Sequence, residues 1–271
     1  VMDVATGCSQ AQSGQATIII NPVPTATITG TIDVCKDSPE PVVTFAGMNS
    51  STNYVFSYQK NGGPTQTINS VLGTNQATLL QSTNVTGLYE YQLIGVSDGT
   101  TLCSSTLNEA IIIDVKPLPI AAISPYVEAC HNDTTILEVT FTGSVGDAPY
   151  TFDYTMNGVP SQITSTGNSI TLPIQTSVVG TSTFIITHIQ EGSVLGCQQT
   201  QNVISQATVH PLPNVFAGNP ITVCANVPVV LTGSGASTYE WNNNVTNAIP
   251  FTPTDTTTYT VIGTDINGCK N

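Results

Sequence analysis

Seven cysteines are the residues of this 271-residue chain best suited to chemistry, because two thiols can be oxidised to a disulfide. They form two interleaved series with one spacing of 94 or 95 residues, and a last cysteine follows only 45 residues after the second series ends. The shared spacing indicates an internal repeat of about 95 residues. The first series is Cys8, Cys103 and Cys197, the second is Cys35, Cys130 and Cys224, and the last cysteine is Cys269.

A Pro-x-Pro motif keeps the same register as the cysteines. Each copy begins 14 residues after a cysteine of the first series, and its second proline lies 11 residues before a cysteine of the second series. Two prolines one residue apart favour an extended, semi-rigid linker, so these motifs are predicted to be hinges between domains. The six hinge prolines are Pro22 and Pro24, Pro117 and Pro119, and Pro211 and Pro213.

The motifs divide the chain into repeats. Residues 22–116 and 117–210 are predicted to be full copies, and residues 211–271 a shorter copy that stops before its last strand. Residues 1–21 are predicted to be the end of a preceding repeat, with Gln15 to Ile20 as its closing strand. We therefore expect a longer, elongated array that continues in both directions. The alternative, which we favour less, is that the closing strand of one molecule completes the third repeat of the next and so builds a filament.

Alternating aromatic residues mark the strands of each repeat. Side chains at every second position point to one face of a strand, so each aromatic set predicts a face that packs into a core. Asparagine-rich turns follow each set, and no apolar stripe with helical spacing is present. About seven short strands per repeat predict an all-β chain of tandem β-sandwiches. The sets are Tyr54, Phe56 and Tyr58; Tyr150, Phe152 and Tyr154; and Tyr239 and Trp241.

Each full repeat contains one cysteine of each series, which predicts disulfides within single repeats. Such bonds would staple one end of each sandwich, and closing a loop of this size is worth roughly 4 kcal/mol. Disulfides also predict an extracellular setting. Cys8 is left unpaired, with its partner expected upstream. The predicted bonds are Cys35–Cys103, Cys130–Cys197 and Cys224–Cys269.

Composition excludes several classes of function. The net charge is −13, only 8% of residues are charged, and the four basic residues are all lysines. Nucleic-acid binding needs a basic surface, and phosphate recognition usually uses arginine. No apolar run approaches the roughly 18 residues of a membrane span. We expect no nucleic-acid partner, no membrane insertion and no cofactor.

No group of residues predicts catalysis. His131, His188 and His210 are scattered among a disulfide position, a strand and a linker, and no nucleophile motif accompanies them. The chain is therefore not expected to be an enzyme, and no catalytic residue is assigned.

Asp98, Asp265 and Asn267 are weak candidates for calcium ligands, because they match only part of a calcium-binding loop. The alternative is a tight turn before the second cysteine of each repeat, which we favour, so no metal site is assigned. Trp241, the only tryptophan, aligns with the central aromatic residue of the other sets and is expected to lie in a core instead of stacking on a sugar.

Several segments resemble a known family. The motifs at 21–30, 61–68 and 96–103 are similar to the repeats of SprB-like giant surface adhesins of gliding Bacteroidetes, which are exported by type IX secretion. The motifs at 238–244, 256–261 and 264–269 resemble Ig-like and PKD-like modules. The resemblance implies Ig-like or PKD-like sandwiches in a protein of the extracellular cell surface that serves gliding motility or adhesion.

The sequence thus predicts a structural stalk segment that performs no chemistry of its own. Its partners would be neighbouring repeats of the same chain, with surface glycans or other copies in a filament as further candidates. The alternative functions are a glycan-binding or protein-binding module, and an accessory region of a secreted enzyme.

Overall fold

The computed structural model describes residues 2–11, 13–50 and 53–271, and every regular element in them is a β-strand. It divides into two compact units, Val1–Lys116 and Pro117–Asn271. The all-β prediction is therefore confirmed for the described residues.

The first unit is a sandwich of two sheets, numbered here in chain order. Its smaller sheet has the order β1-β3-β6 and is antiparallel. Its larger sheet has the order β2-β8-β7-β4-β5, and only the β2–β8 pair is parallel. The strands are β1 (Thr25–Gly30), β2 (Asp33–Cys35), β3 (Val42–Met48), β4 (Tyr54–Lys60), β5 (Gln66–Asn69), β6 (Gln76–Leu80), β7 (Gly87–Asp98) and β8 (Ser104–Lys116).

The second unit begins with a sandwich of the same design. The smaller sheet has the order β14-β11-β9, the larger has the order β10-β16-β15-β12-β13, and β10 pairs in parallel with β16. The strands are β9 (Ile120–Ile123), β10 (Val127–Cys130), β11 (Leu137–Ser144), β12 (Thr151–Met156), β13 (Val159–Thr164), β14 (Ser169–Ile174), β15 (Gly180–Gln190) and β16 (Gln198–His210).

The predicted aromatic faces form the cores of both sandwiches. Phe56 and Phe152 are fully buried. The centre of each ring lies less than 6 Å from the ring centre of a phenylalanine in the facing sheet, Phe45 or Phe141 respectively. Such ring pairs contribute beyond the area that they bury. The alternation of residues along β4 and β12 therefore specified the core correctly.

The third repeat, residues 211–271, has less regular structure. It contains one antiparallel pair of short strands, β17 (Thr238–Trp241) and β18 (Val261–Thr264), and isolated bridges such as Val229 to Phe251. Trp241 is 6% exposed, so the prediction that it lies in a core is confirmed.

The predicted closing strand at Gln15 to Ile20 is wrong. No strand forms there, and Ile18, Ile19 and Ile20 are 79–88% exposed. A strand needs a neighbour that satisfies its backbone N–H and C=O groups, and no strand of the described residues pairs with this segment. Val1 and Gln12, which belong to the same predicted fragment, lie outside the described residues.

An asparagine clamp recurs in all three repeats. The asparagine that follows each aromatic strand accepts a hydrogen bond on Oδ1 from a backbone N–H that lies in, or directly before, the neighbouring strand. Its own N–H donates to the carbonyl of the same residue that supplies this N–H. Each clamp thus ties the hairpin turn to the next strand by two bonds. The pairs are Asn61 with Glu90, Asn157 with Thr183, and Asn242 with Thr260.

Candidate functional site: the cysteine-bearing ends of the repeats

One class of cysteine lies in a turn that we call the leading turn. In each case the residue two positions later has a positive φ, between 57° and 66°, and the N–H three positions later donates to the cysteine carbonyl. Aspartate and asparagine, which tolerate this conformation, occupy the positive-φ position. The leading-turn cysteines are Cys35, Cys130 and Cys224, followed by Asp37, Asn132 and Asn226.

Parallel pairing places the leading turn at the end of the repeat where the chain leaves it, which we call the distal end. Cys35 pairs with Lys116, the last residue of β8, and Cys130 pairs with His210, the last residue of β16. His131 N–H also donates to the His210 carbonyl at 2.8 Å. Cys35 and Cys130 therefore each lie beside the last residue of their repeat.

The other class of cysteine lies in a loop that we call the closing loop. An acidic residue four to six positions earlier donates its backbone N–H to the cysteine carbonyl at 2.8–3.0 Å. The carboxylate of the same residue accepts backbone N–H groups inside the loop, so it holds the loop shut. The acids and cysteines are Asp98 with Cys103, Glu191 with Cys197, and Asp265 with Cys269.

The closing loop lies at the end where the repeat begins, the proximal end. The carbonyl of the second proline of each Pro-x-Pro motif accepts a side-chain hydrogen bond from the residue two positions after the closing-loop cysteine. Pro24, Pro119 and Pro213 are also buried. The first prolines, Pro22, Pro117 and Pro211, are exposed, and that the motifs act as hinges stays a prediction. The donors are Ser105, Gln199 and Asn271.

The structure contradicts the predicted disulfide pairing. Cys130 is bonded to Cys269, with an S–S distance of 2.06 Å, so the bond joins the second repeat to the third. Cys103 and Cys224 are free thiols among the described residues, as is the exposed Cys8. The within-repeat bonds Cys130–Cys197 and Cys224–Cys269 are therefore wrong.

The distance between the two ends of a repeat explains the correction. Cys197 precedes β16 and Cys130 pairs with its last residue, so the length of a 13-residue strand, about 40 Å, separates them. Cys103 and Cys35 are separated in the same way by the 13 residues of β8, so Cys35–Cys103 is also wrong. Disulfide-bonded cysteines have Cα atoms less than about 7 Å apart. Cys35 and Cys197 are both disulfide-bonded.

Residues 210–213 and the disulfide form a double connection between the second and third repeats. The backbone runs from His210, which pairs with Cys130, through Pro211 to Pro213. The Pro213 carbonyl accepts a bond of 2.9 Å from the side chain of Asn271, two residues after the bonded Cys269. Two covalent paths therefore cross this junction side by side, which restricts rotation of one repeat about the linker.

Glu191, the acid of the closing loop in the second repeat, is buried and has several hydrogen-bond donors around its carboxylate. It is 6% exposed, and its carboxylate accepts from the N–H groups of Asp147, Ser193 and Cys197 and from the Ser193 hydroxyl. Burial raises the pKa of Glu191, but these hydrogen bonds together outweigh it and hold the pKa below the ordinary 4.5. An acid four to six residues before each closing-loop cysteine is a sequence signal for this loop, which was considered only at Asp98 and Asp265.

The calcium candidates lie in the closing loops. Asp265 Oδ1 accepts the N–H groups of Asn267 and Cys269 at 2.9 and 2.8 Å, which forms the tight turn offered as the alternative. Asp98, 1% exposed, accepts the N–H groups of Thr100 and Thr101. In the described ranges, no group of three or more His, Cys, Asp or Glu side chains is placed to hold a metal ion.

The three histidines lie apart from one another in sequence and have separate contacts. His188 Nδ1 lies 3.2 Å from Asp153, and His210 Nε2 lies 2.9 Å from Glu128 at the distal end of its repeat. Hydrogen bonds from His210 and from Tyr126 lower the pKa of Glu128. These contacts pair a carboxylate across neighbouring strands and hold no nucleophile.

A shallow cleft of about 450 Å³ lies at the distal end of the second repeat. Its walls include Leu172, Ile174, Val178 and Val209, and the only aromatic ring among its lining residues is the buried Tyr154. Sugar binding by stacking needs an exposed ring, which this lining does not supply. No helix in the described part of the chain has the length and apolarity needed to cross a bilayer.

No family model and no curated protein matches the chain. Among solved structures, a three-domain immunoglobulin fragment of titin is 13% identical with a TM-score of 0.42, and the match covers 83% of this chain and 81% of that one. A marsupial T cell receptor is 11% identical with a TM-score of 0.41, covering 90% of each chain. A two-domain fibronectin type III segment from chicken tenascin is 12% identical with a TM-score of 0.28, covering 70% of this chain and 99% of that one. The fold class rests on the observed strand pairing and not on these likenesses.

Proposed function

We propose that this chain is a structural spacer, one stretch of the stalk of a secreted surface protein. The observation that carries the proposal is the Cys130–Cys269 disulfide across the junction of two repeats. The bond joins two repeats and does not staple either repeat to itself. It restricts how the repeats move against each other, which is a useful property in a spacer.

The same bond shields the repeats from tension. When a chain is pulled from its ends, force passes through the covalent path, and the residues inside a disulfide loop cannot be extended. The loop between Cys130 and Cys269 spans 139 residues and so encloses most of two repeats. Its full extension would release about 470 Å. A stalk that keeps this length locked holds a distal group at a fixed distance.

Disulfides persist in oxidising surroundings, so we place the protein outside the cell. The low charge and the lack of arginine suit a surface that attracts few partners. A cell-surface adhesin of gliding bacteria, exported by type IX secretion, is the specific form of this proposal and follows from the resemblance of the repeat motifs. The role requires no catalysis by the chain.

Single-molecule force measurement tests the spacer role. The oxidised chain, pulled from its two ends, is expected to release no contour length from residues 131–268. Because Cys35 and Cys197 are also disulfide-bonded, the comparison is made in a C35S/C197S background. There, reduction or the further double variant C130S/C269S should add about 470 Å. The matched control is C103S/C224S, which removes two thiols that are free in the structure and should behave as the unmodified chain. Full extension of residues 131–268 in the oxidised chain would contradict the proposal.

A binding module is the second candidate, favoured only by the distal cleft near Ile174 and Val209. A glycan array and a peptide library probed with the full chain would detect it. Binding that disappears in the variant Val178→Asp, at an exposed position of the cleft, but not in Val194→Asp, at an exposed position outside it, would favour this function.

A further inference from the structure

We infer that the free thiols Cys103 and Cys224 are attachment points for further repeats of the same kind. Cys224 would bond the closing-loop cysteine of a repeat that follows, and Cys103 the leading-turn cysteine of a repeat that precedes. The inference rests on the proposed spacer role, because it requires more repeats, in the same chain or in a second copy.

Cys224 has the local structure of Cys130, the leading-turn cysteine that is seen bonded. Both carbonyls accept the N–H three residues later, at 3.3 and 3.0 Å, and Asn226 and Asn132 have φ values of 66° and 57°. The two cysteines are 94 residues apart, which is the repeat spacing. Cys224 is exposed, so its thiol can be reached by a partner.

Cys103 has the local structure of Cys269, the closing-loop cysteine of the same bond. Their carbonyls accept the N–H groups of Asp98 and Asp265 at 2.8 and 2.9 Å. Two residues after Cys103, the Ser105 hydroxyl donates a hydrogen bond of 2.6 Å to the carbonyl of Pro24. The side chain of Asn271 donates in the same way to the carbonyl of Pro213. The free pair therefore consists of one cysteine of each class, which is the combination found in the observed bond.

The bond between Cys130 and Cys269 is the observation that points to a partner for the free thiols. It shows that a leading turn and the closing loop of the next repeat bring their sulfur atoms together. A cysteine of the same repeat cannot be the partner in the first two repeats. There the two classes of cysteine lie at opposite ends of a 13-residue strand. A further repeat is the partner that reproduces the observed geometry.

Formation of each new bond is a two-electron oxidation. Two thiols lose two protons and two electrons and become one disulfide. A small-molecule disulfide such as oxidised glutathione accepts both and is released as two thiols, through a mixed-disulfide intermediate. The energy of the step depends on the surrounding thiol–disulfide balance and not on the fold alone.

The first experiment gives Cys224 a following repeat within one chain. Residues 11–271 of a second copy are fused directly after Asn271, which keeps the 14-residue offset from Cys269 to the next Pro22. Cys8 and the first copy's Cys103 are changed to serine, as is the second copy's Cys224. The first copy's Cys224 and the second copy's Cys103 then remain as the only unbonded pair.

After equilibration with reduced and oxidised glutathione, we expect a peptide that links Cys224 to the second copy's Cys103, and no thiol that reacts in denaturant. A control with the first copy's Cys224 also changed to serine should keep one reactive thiol. The Cys130–Cys269 peptide in the same digest shows that the repeats are folded. Two reactive thiols, or a bond from Cys224 to Cys269, would overturn the inference.

The second experiment uses separate full chains in a C8S background. The C103S and C224S variants are oxidised alone and as a mixture. We expect each variant alone to stay monomeric and the mixture to give a dimer linked through Cys224 of one variant and Cys103 of the other. Dimers of either variant alone would overturn the inference. A linked fusion with a monomeric mixture would assign the bond to repeats of one chain.

The force measurement tests the bond that already exists, whereas the fusion tests the two thiols that are free. The force measurement can contradict the spacer role while the fused chain still forms the Cys224–Cys103 bond, and the opposite pair of results is also possible. The two failures are therefore distinguishable.

Discussion

At the residue scale, the closing loops depend on a carboxylate that faces inward. Glu191 accepts from three backbone N–H groups and one hydroxyl, which satisfies donors that the loop would otherwise bury without partners. Asp98 and Asp265 likewise accept backbone N–H groups of their own loops. The closing-loop acids, two of which were considered as metal ligands, are therefore hydrogen-bond acceptors that fix the conformation of the loop around the cysteine.

Glu191→Gln is expected to destabilise the second unit by about 1–3 kcal/mol, because one carboxylate oxygen becomes an amide that faces N–H donors. The pKa of Glu191 is lowered on folding, so its contribution is fully present above the ordinary value of 4.5 and is lost as pH falls through the lower folded value. Urea unfolding at several pH values measures both effects. The control Glu138→Gln, at an exposed position of β11, should change little. Equal losses in both variants would contradict the account.

A glycine under a tyrosine ring recurs in all three repeats. A Cβ atom at Gly47, Gly143 or Gly233 would lie 2.3–2.5 Å from the ring of Tyr54, Tyr150 or Tyr239. The tyrosine ring packs directly on the glycine, which has no side chain. The tyrosine hydroxyl forms a hydrogen bond with a backbone group of a nearby loop. The glycine is therefore needed for space and not for backbone freedom.

Gly143→Ala is expected to lower the free energy of unfolding by about 1–3 kcal/mol, because the inner atoms of the Tyr150 ring must move. Gly167→Ala is the matched control, since no atom lies within 4 Å of the added Cβ and its φ is not positive. Thermal and urea unfolding compare the two. A Gly143→Ala variant as stable as Gly167→Ala would show that the ring is not tightly held.

At the element scale, the strands could be predicted and the ends of the repeats could not. Alternation along β4 and β12 reports which side of a strand is buried, so Phe56 and Phe152 were placed correctly. A cysteine spacing of one repeat fits a bond inside a repeat and a bond to the next repeat equally well. The choice depends on the parallel pairing of β10 with β16, which carries Cys130 to the far end and which no local pattern specifies.

The segment Gln15 to Ile20 also shows that a local sequence pattern does not specify pairing between strands. Its apolar residues favour a strand, but a strand exists only where a neighbouring edge pairs with it. The acidic residue before each closing-loop cysteine was visible in the sequence. Its role became clear only when the carboxylate of Glu191 was seen to accept bonds from within the loop.

The asparagine clamp connects a hairpin turn to the adjacent strand. Asn157 has a φ of 53°, and its Oδ1 accepts the N–H of Thr183 at 2.8 Å. Asn157→Ala is expected to cost about 1–3 kcal/mol, since it removes this acceptor and places alanine in an unfavourable conformation. Asn157→Gly removes only the acceptor and should cost less. Urea unfolding gives the order, and equal stability of all three proteins would contradict it.

At the scale of the whole molecule, each sandwich has a leading turn at one end and a closing loop at the other. The backbone linker and a disulfide cross the junction between the second and third repeats together. The stability of such an array depends on the connections between neighbouring repeats as well as on the core of each repeat. This bipolar arrangement of cysteines is the central claim, and it accounts for which thiols are bonded and which are free.

A disulfide map of the oxidised chain tests this claim most directly. Free thiols are alkylated first, and the protein is then digested with pepsin at acid pH, which suppresses disulfide exchange, before mass spectrometry. The account predicts a peptide that links Cys130 to Cys269, with Cys103 and Cys224 alkylated before any reduction. A peptide that links Cys130 to Cys197, or Cys224 to Cys269, would contradict it.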